Sequence, residues 1–468
     1  MGIKNFYHGW YKHRFKCIGV EKPNIDVLAM DINGLFYTCS QQVCKHEKPI
    51  VLFKKVCETI DMIRQTINPQ KKFIICVDGV AGLGKMNQQR LRRHRNHRNM
   101  YSYNTNCFTP GTELLDNMTR YIDWYIRNML SCSPEWQNIE IIFSNEKVPG
   151  EGEHKIMKYI KSLVPNDQSI CIYGCDADLI LLTSLLSHTN VHIARECKER
   201  IDFINISEFK QQLVDILRWD GDKHFNDVVA IQDFVFILSL VGNDFLPSIS
   251  CLSIVYGAMD IIINAYVTTG TKHGHLTYTN SLGFITIHNL SLSCFFKNIT
   301  QYENRSHTSA LYASSASSYI DGMIWTINYY KNGIPDWRWC FDTDVPLLKH
   351  LSMVARNYVS PCFVLHKPMD PLLQLMILLP KSDQYLLPTV MHKTFTFYPM
   401  HKILRYNDVQ EIEKLYRNIY EQHFTMKERK RNQIGKVFKY IFCCQHYSTF
   451  KSFFGDINSK IIVSIINI

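Results

Sequence analysis

The stretch FIICVD, residues 73–78, is a short apolar run that ends in an aspartate. The same form occurs in IDVLAMD at 25–31 and in ICIYGCDAD at 170–178. Apolar runs of this length without polar alternation predict strands that are covered on both faces. Two further runs, IEIIF (139–143) and VHIA (191–194), have the same character. We therefore predict five buried strands in the first half of the chain.

The segments between these runs have apolar residues at helical spacing. They predict helices over 50–67, 86–100, 111–130, 151–163 and 178–186. Strands that alternate with helices form a mainly parallel sheet with helices on both faces. The predicted fold class is therefore α/β, with a mainly parallel central sheet and an additional, mostly helical C-terminal region.

The strand–helix alternation extends over residues 1–250, which we predict to be the core that carries the site. From 251 to 312, Thr, Ser, Asn and Gly become common, which predicts a variable linker or insertion. Aromatic and Leu-rich segments predict a second, mostly helical region over 313–400. The remainder, 401–468, is predicted to be a basic helical segment, and it contains MKERKR (426–431).

The composition is that of a globular protein, with 46% hydrophobic and 20% charged residues. The sequence has no run of about 18 apolar residues, and its start lacks the apolar core of a secretion signal, so we predict no membrane contact and no secretion. Its 16 cysteines form no C-x-x-C pair, which favours reduced thiols in a cytosolic or nuclear protein. Of these two locations we expect the cytoplasm. A formal charge of +10 favours an acidic partner such as nucleic acid.

Aspartates follow three of the predicted strands. Asp31 and Asp78 each end one run, and Asp176 and Asp178 follow a third. In open parallel sheets, ligands bind at the carboxyl ends of the strands. One aspartate at such a place is usually a turn residue or a helix cap. Four aspartates at three strand ends favour a common site instead.

The stretch VPGEGEHKIM (148–157) adds Glu151 and Glu153 at the start of a predicted helix. Acids are favourable in a first helical turn, which is the alternative explanation. Glu153, however, lies three residues before Ile156 and shares its inward face. Asp244, after a fully apolar helix, is a further acid. Carboxylates that converge repel one another unless a cation neutralises them, and hard oxygen ligands suit Mg²⁺ or Mn²⁺.

The stretch KMNQQRLRRHRNHR (85–98) contains six Lys or Arg residues and no acid. Gln89, Arg92 and Arg93 are three and four residues apart, so that one helical face presents them together. Forked arginine donors match phosphate oxygens. The alternative is a solvated basic helix, but the absence of acids and the neighbouring acidic motif favour a functional role.

These motifs resemble, in composition and order, the Xrn family of 5′→3′ exoribonucleases, which shares its acidic site with flap endonucleases. The resemblance implies a 5′-nuclease, PIN-like core, and the segment 320–388 resembles the second conserved region of the family, which completes the active site. The stretches that carry it are DINGLFY (31–37), VDGVAGLGKMNQQRLRR (77–93), NCFTPGTEL (106–114), IIFSNEKVPGEGEHKIM (141–157), YGCDADLILL (173–182) and LVGNDFLP (240–247).

The resemblance implies that seven acids form one active site and hold metal. Two Mg²⁺ ions are expected there, with Mn²⁺ as an alternative, so that no side-chain nucleophile is required. His154, beside the acids, is then structural rather than a catalytic base. The seven acids are Asp31, Asp78, Glu151, Glu153, Asp176, Asp178 and Asp244.

The resemblance also implies a pocket for a 5′-monophosphate and an aromatic pair that stacks on the first base. The pair is Tyr37, where the family has histidine, and Trp337, with Trp339 as the alternative; both tryptophans could equally be core residues. The pocket residues are Lys85, Gln89, Arg92 and Arg93.

The implied activity is metal-dependent hydrolysis of 5′-monophosphorylated, decapped single-stranded RNA to nucleoside 5′-monophosphates during RNA degradation. The expected molecule is a monomer, and the sequence predicts no particular protein partner. One alternative is a nuclease for DNA or flaps, against which the phosphate pocket argues. A second is a non-catalytic RNA-binding scaffold, against which the complete set of acids argues. Departures from the family at 82–84 and 340–346 affect RNA grip and processivity rather than hydrolysis.

Overall fold

A nine-stranded sheet forms the centre of the computed structural model, which describes residues 2–95, 103–163, 167–197, 200–221, 223–303, 312–393, 402–442 and 461–466. Its strand order is β1-β7-β6-β5-β2-β3-β4-β10-β11, and β8 and β9 form a separate hairpin. The strands are β1 (Ile18–Gly19), β2 (Val27–Asp31), β3 (Lys72–Cys76), β4 (Glu140–Ser144), β5 (Ile170–Tyr173), β6 (Val191–Cys197), β7 (Arg200–Asn205), β8 (Thr277–Thr279), β9 (Ile285–Ile287), β10 (Val437–Phe442) and β11 (Ile461–Ile466).

Helices cover both faces of the sheet. A π-helix, Tyr7–Tyr11, precedes the first α-helix. The α-helices are α1 (Lys12–Arg14), α2 (Asn33–Gln42), α3 (Pro49–Ile67), α4 (Leu83–Arg95), α5 (Glu113–Cys132), α6 (Pro134–Gln137), α7 (Gly152–Lys161), α8 (Asp178–Ser184), α9 (Ile206–Leu217), α10 (Asp227–Ile237), α11 (Ala258–His273), α12 (Asn289–Ile299), α13 (Tyr312–Asn332), α14 (Leu348–Ala355), α15 (Pro371–Leu378), α16 (Tyr406–His423) and α17 (Met426–Arg431).

The predicted α/β class is confirmed, as are the five predicted strands and the helices between them. The strands β6, β5, β2, β3 and β4 pair in parallel, and antiparallel strands are added at both edges. The predicted helix 86–100 is observed as α4 up to Arg95, and residues 96–100 lie outside the described ranges.

The apolar runs are continuous because the sheet has two buried faces. Val27 and Ala29 of β2 pack into one core with helices α7 to α10, whereas Leu28 and Met30 pack into another with α2, α3 and α5. Side chains alternate between the faces of a strand, so every position needs an apolar residue when both faces are covered. This burial on two sides fixes the strand ends, and with them the acids that follow.

Two predictions about the later part of the chain need correction. The linker alternative for 251–312 is wrong, because within the described residues 251–303 the helix α11, the β8–β9 hairpin and α12 contribute buried residues to the main core. The segment 401–468 is not helical throughout, because β10 and β11 follow α16 and α17 and join the central sheet beside β4. The apolar residues after position 460 form a β-strand because β10 offers a ladder to pair with.

A third core joins the early and late parts of the chain. Val80, Leu83 and Met86, at the start of α4, pack against α15 and α16. Late helices therefore hold the basic helix in place beside the carboxyl ends of the strands. No helix within the described ranges has both the length and the apolar character that crossing a bilayer requires.

Candidate active site

The carboxyl ends of three parallel strands and the start of α7 bring five of the seven acids to one edge of the sheet. Asp31 is the last residue of β2, and Asp78 follows β3 by two residues. Glu151 is the N-cap of α7, and Glu153 lies in the first turn of that helix. Asp178 begins α8, just after β5. Strand ends and helix starts thus position these carboxylates together.

Backbone hydrogen bonds fix two of these acids. The Asn33 amide donates to Asp31 Oδ1 at 3.1 Å, and the Asn33 side chain accepts from the Asp78 amide at 3.0 Å. The Gly152 amide donates to Asp78 Oδ1 at 2.7 Å. A Cβ at Gly152 would lie 2.6 Å from Asp31 Cγ, so only glycine lets α7 start against this carboxylate.

Three of the acids form a group that fits a divalent metal ion. One carboxylate oxygen from each of Glu153, Asp176 and Asp178 lies within 4.8 Å of the others. Asp178 is only 3% exposed, and its Oδ1 has no hydrogen-bond partner among the described residues. A buried carboxylate oxygen without a donor needs a cation or a proton. Hard oxygen donors of this kind suit Mg²⁺ and Mn²⁺.

Lys85 supplies positive charge to the other side of the same crevice. Its Nζ lies 2.6 Å from Asp244 Oδ2 and also forms an ion pair with Glu151. Burial alone would lower the pKa of Lys85, but the two carboxylates raise it well above its ordinary value. The family resemblance implies a place for Lys85 in the phosphate pocket; in the structure its ammonium group contacts the acids.

The crevice holds more negative charge than Lys85 neutralises. Burial, together with Asp78, raises the pKa of Asp31 well above its ordinary value, and burial with Asp178 does the same for Glu153. Burial and the neighbouring Asp244 raise the pKa of Asp178 to about 7. For Asp244 itself, the effect of burial is outweighed by Lys85, which lowers its pKa. The crevice therefore favours protons or added cations.

Helix α13 contributes residues that the sequence analysis missed. The Tyr329 hydroxyl donates to Glu151 Oε1 at 2.8 Å, and Tyr330 is buried next to Asp178 and Asp244. The His154 ring stacks on Tyr329 at a centroid distance of 3.8 Å, and burial lowers its pKa well below the ordinary value. The two adjacent tyrosines before Gly333 are visible in the sequence. No local sequence pattern, however, indicates that they contact acids far away in the chain.

Lys155 is a second missed residue, and its role is structural. Its buried Nζ donates to Val77 O at 2.7 Å and to Asn145 O at 2.9 Å. These carbonyls lie at the ends of β3 and β4, so Lys155 ties α7 to both strands. Burial lowers its pKa to about 8.

Helix α4 presents buried polar groups beside the crevice. Gln89 and Arg93 are 5% and 7% exposed, and Gln89 Oε1 and Arg93 Nη1 lack hydrogen-bond partners in the described part of the chain. Arg93 Nε donates to Thr109 Oγ1 at 3.0 Å. Burial lowers the pKa of Arg93 to about 10, so it remains charged at neutral pH. Arg92, on the same turn, is half-buried.

The predicted stacking residues lie in different environments. Tyr37 is half-buried and meets Phe108 edge-on at 5.7 Å. Trp337 lines a cavity of about 390 Å³ together with His154 and Tyr330. Within the described ranges, no ring contact joins Tyr37 to Trp337.

Trp339 is a core residue. It stacks on Trp325 at 4.7 Å and packs against the main core, so Trp337 remains the candidate for base stacking. The backbone of both tryptophans holds the start of α4, because the Leu83 amide donates to Trp337 O at 2.9 Å and the Gly84 amide donates to Trp339 O at 3.0 Å.

Comparison with protein-family models matches most of the chain in two successive blocks. The model described as XRN 5′-3′ exonuclease N-terminus matches residues 1–102 and 96–197. The model described as Xrn1 helical domain matches residues 224–308 and 300–407. The chain belongs to the Xrn family. The resemblance inferred from the motifs is thereby confirmed.

Curated Xrn relatives are similar over slightly more than half of the chain. The 5′-3′ exoribonuclease 1 of Saccharomyces cerevisiae is 31% identical over 317 residues, which are 57% of this chain and 20% of that protein. The human 5′-3′ exoribonuclease 1 is 29% identical over 61% of this chain and 20% of its own length. The chain thus matches about a fifth of the length of these relatives. Among solved structures, the catalytic core of Rad2 in complex with DNA gives a TM-score of 0.38 at 12% identity, covering 87% of this chain and 99% of that chain.

Proposed function

We propose that this Xrn-family chain is a metal-dependent 5′→3′ exoribonuclease that acts on single-stranded RNA with a 5′-monophosphate and releases nucleoside 5′-monophosphates. The observation that supports it best is the adjacency of two buried polar groups: the acidic crevice, and Gln89 Oε1 with Arg93 Nη1 on α4, which have no hydrogen-bond partner among the described residues. The names of the relatives support the reaction direction. All cysteines in the described ranges are free thiols, which supports action in a reducing, cytoplasmic setting by a chain that we expect to be a monomer.

In this proposal, Glu153, Asp176 and Asp178 hold a divalent ion, and Asp31, Asp78, Glu151 and Asp244 complete the set for two. Bound Mg²⁺ or Mn²⁺ would supply an activated water and neutralise charge on the scissile phosphate. Asn33 and Gly152 keep the carboxylates of Asp31 and Asp78 oriented through their amide donors. Tyr329 and Lys85 orient Glu151 in the same way.

The second part of the proposal is that α4 selects the 5′ end. Arg93 buries a charged guanidinium that has no carboxylate partner among the described residues, which is costly unless an anion binds there. Gln89 and Arg92 flank it on the same helical face and add donors. A pocket of this kind accommodates one phosphate and excludes a cap or a triphosphate. Neutral, stacked His154 acts as packing for Tyr329 and not as a base.

The experiment follows degradation of a 3′-labelled RNA that carries a 5′-monophosphate, a 5′-hydroxyl or a 5′-triphosphate, with Mg²⁺ or EDTA. We expect stepwise loss of mononucleotides that is much faster from the monophosphate form than from the other two forms, and no reaction in EDTA. Asp176→Asn should abolish the reaction. Arg92→Gln should remove the preference for the monophosphate, whereas Arg95→Gln, an exposed position on the same helix, should not.

Three outcomes would contradict the proposal. Equal degradation of all three ends would refute the phosphate pocket. Internal cleavage, or faster cleavage of DNA flaps than of RNA, would favour a flap nuclease. RNA binding without turnover of any substrate would indicate a scaffold.

A further inference from the structure

The first sixteen residues contain a row of basic side chains on an otherwise apolar segment. No Asp or Glu occurs before Glu21. The π-helix Tyr7–Tyr11 and α1 form one continuous helical stretch, and its exposed residues are His8, Gly9, Lys12, His13 and Arg14. We define the basic stripe by its exposed members: Lys4, His8, Lys12, Arg14 and Lys16.

The helical stretch is held rigidly by its inward face. Trp10 stacks on Phe234 of α10 at 5.8 Å, and Tyr11 and Phe15 contact Phe209 of α9 at 5.0 and 4.8 Å. Large buried aromatic rings of this kind fix orientation. The basic stripe is therefore presented on one rigid face instead of a free tail.

The basic stripe begins at the acidic crevice. Gly2 has a φ of +78°, and a Cβ at this position would lie 2.7 Å from Asp178 Cγ. The chain then passes away from the crevice over α9, α10 and the β6 side of the sheet. Helix α4, with the phosphate pocket, follows β3 on the opposite side of β2. The acids thus lie between the pocket and the basic stripe.

The side chains of the basic stripe form no hydrogen bond or ion pair with any residue that the structure describes. Nearby acids are already occupied: Asp202 accepts from Arg200 Nε at 2.8 Å, and Glu208 accepts from Asn205 Nδ2 at 2.9 Å. Arg195 adds a further positive charge, 3.9 Å over the Tyr7 ring.

The C-terminal cluster MKERKR (426–431) has the opposite character. Lys427 and Arg431 both pair with Glu113, and Arg429 donates to the carbonyls of Phe424 and Tyr420. These contacts hold α17 against α5 and the end of α16, so the basic residues of the cluster have a structural role. The side chains of the basic stripe have no such structural contacts with the described part of the chain.

We propose that the basic stripe binds the phosphodiester backbone of the single strand on the 3′ side of the cleaved bond. This inference rests on the proposed function, because the polarity follows from a 5′ end held by α4. The helical stretch from Tyr7 to Arg14 rises about 10 Å, and Lys4 and Lys16 lie beyond its two ends. Positively charged surfaces that follow the backbone of a single strand bind it without reading its sequence. The basic stripe therefore discriminates by strand length and not by sequence.

The test compares 5′-monophosphorylated RNAs of four and twenty nucleotides, with binding measured in EDTA and hydrolysis in Mg²⁺. The variant Lys12→Gln/Arg14→Gln/Lys16→Gln removes three exposed charges. Its matched control is Lys414→Gln/Lys427→Gln/Lys430→Gln, which removes three exposed charges elsewhere. Thermal unfolding verifies that both variants are folded.

We expect the stripe variant to bind the 20-mer about 10-fold or more weakly, with a salt-dependence slope lower by about 2, since each phosphate contact on a single strand contributes about 0.7. Its affinity for the 4-mer and its rate on the 4-mer should equal those of wild type, and the control should bind both RNAs normally. Unchanged binding of the 20-mer, or equal weakening of both RNAs, would refute the inference while wild-type hydrolysis keeps the proposed function intact. Conversely, length-dependent binding without hydrolysis would support the basic stripe and refute the proposed function.

Discussion

The acidic crevice and helix α4 adjoin each other, and they solve the problem of buried charge differently. The crevice contains the cation Lys85, but one positive charge does not neutralise all of its carboxylates. Burial and mutual repulsion therefore raise the pKa values of Asp31, Glu153 and Asp178. Helix α4 buries Arg93, whose guanidinium donates to the Thr109 hydroxyl and whose Nη1 has no partner in the part of the chain that the structure describes. One region is therefore adjusted by protons and cations, whereas the other keeps its charge at neutral pH and lacks only an anion.

The largest effect is expected for Asp178→Asn. Loss of one metal-ligand charge should lower the rate by about 10³-fold or more, as several kcal/mol of transition-state stabilisation disappear. The same change should raise the unfolding temperature in EDTA at pH 8. The folded-state pKa of Asp178, about 7, exceeds that of an unfolded aspartate. The ionised Asp178 carboxylate therefore destabilises the folded protein above pH 7, and this destabilisation is absent at low pH, where the group is protonated. Thermal unfolding at pH 8 and pH 4.5 checks this, and a stabilisation that is equal at both pH values would contradict it.

Lys85→Met should destabilise the metal-free protein by about 3–5 kcal/mol, because it leaves Glu151 and Asp244 as buried charges without a cation. Denaturant unfolding in EDTA measures this. Lys427→Met, which removes an exposed pair, is the control and should cost less than about 1 kcal/mol. A similar loss in both variants would mean that the crevice does not depend on Lys85.

On the basic side, Arg93→Gln should reduce the preference for a 5′-monophosphate over a 5′-hydroxyl by about 10- to 100-fold, the value of one charged hydrogen-bond partner. Competition between the two RNAs in one reaction measures the preference. The rate on the 5′-hydroxyl RNA should change little. If both rates fall together, Arg93 supports the fold of α4 and does not recognise the phosphate.

The smallest expected effect concerns pH and metal binding. Because the pKa of Asp178 is about 7, a divalent ion must displace a proton below that pH. Mn²⁺ affinity should therefore rise by about 10-fold in total between pH 6 and 8, with most of the rise below pH 7. Calorimetric titration in buffers of different ionisation enthalpy detects the released proton. A flat Mn²⁺ affinity over this range would refute the assignment of the titrating group.

The elements predicted well are those whose signal is local. The strand β3 needs only FIICV to be recognised, since burial on two faces leaves no polar position. The placement of Asp31, Asp78 and Asp178 at one edge follows from parallel pairing alone. The bond between Asp178 and any particular ion remains a proposal, but the convergence of the acids was readable from the sequence.

The elements missed depend on partners far away in the chain. The strand β10 pairs with β4, but the stretch KVFKYIF (436–442) contains no pattern that predicts this partner. Tyr329 reaches Glu151 only because α13 crosses the crevice, and Lys85 turns to the acids because two carboxylates attract it more strongly than solvent does. Patterns of charge and hydrophobicity identify faces, but not which distant residue meets them.

The late closure of the sheet has a consequence for biosynthesis. Strand β4 ends at Ser144, but its neighbour β10 begins at Val437. At usual elongation rates the ribosome needs roughly 15–60 s to make the intervening chain. Throughout that interval the nascent protein presents an open, apolar strand edge of the kind that pairs with other chains. Production of this protein in a heterologous host should therefore respond to co-expressed chaperones more than the thermal stability of the finished molecule would suggest.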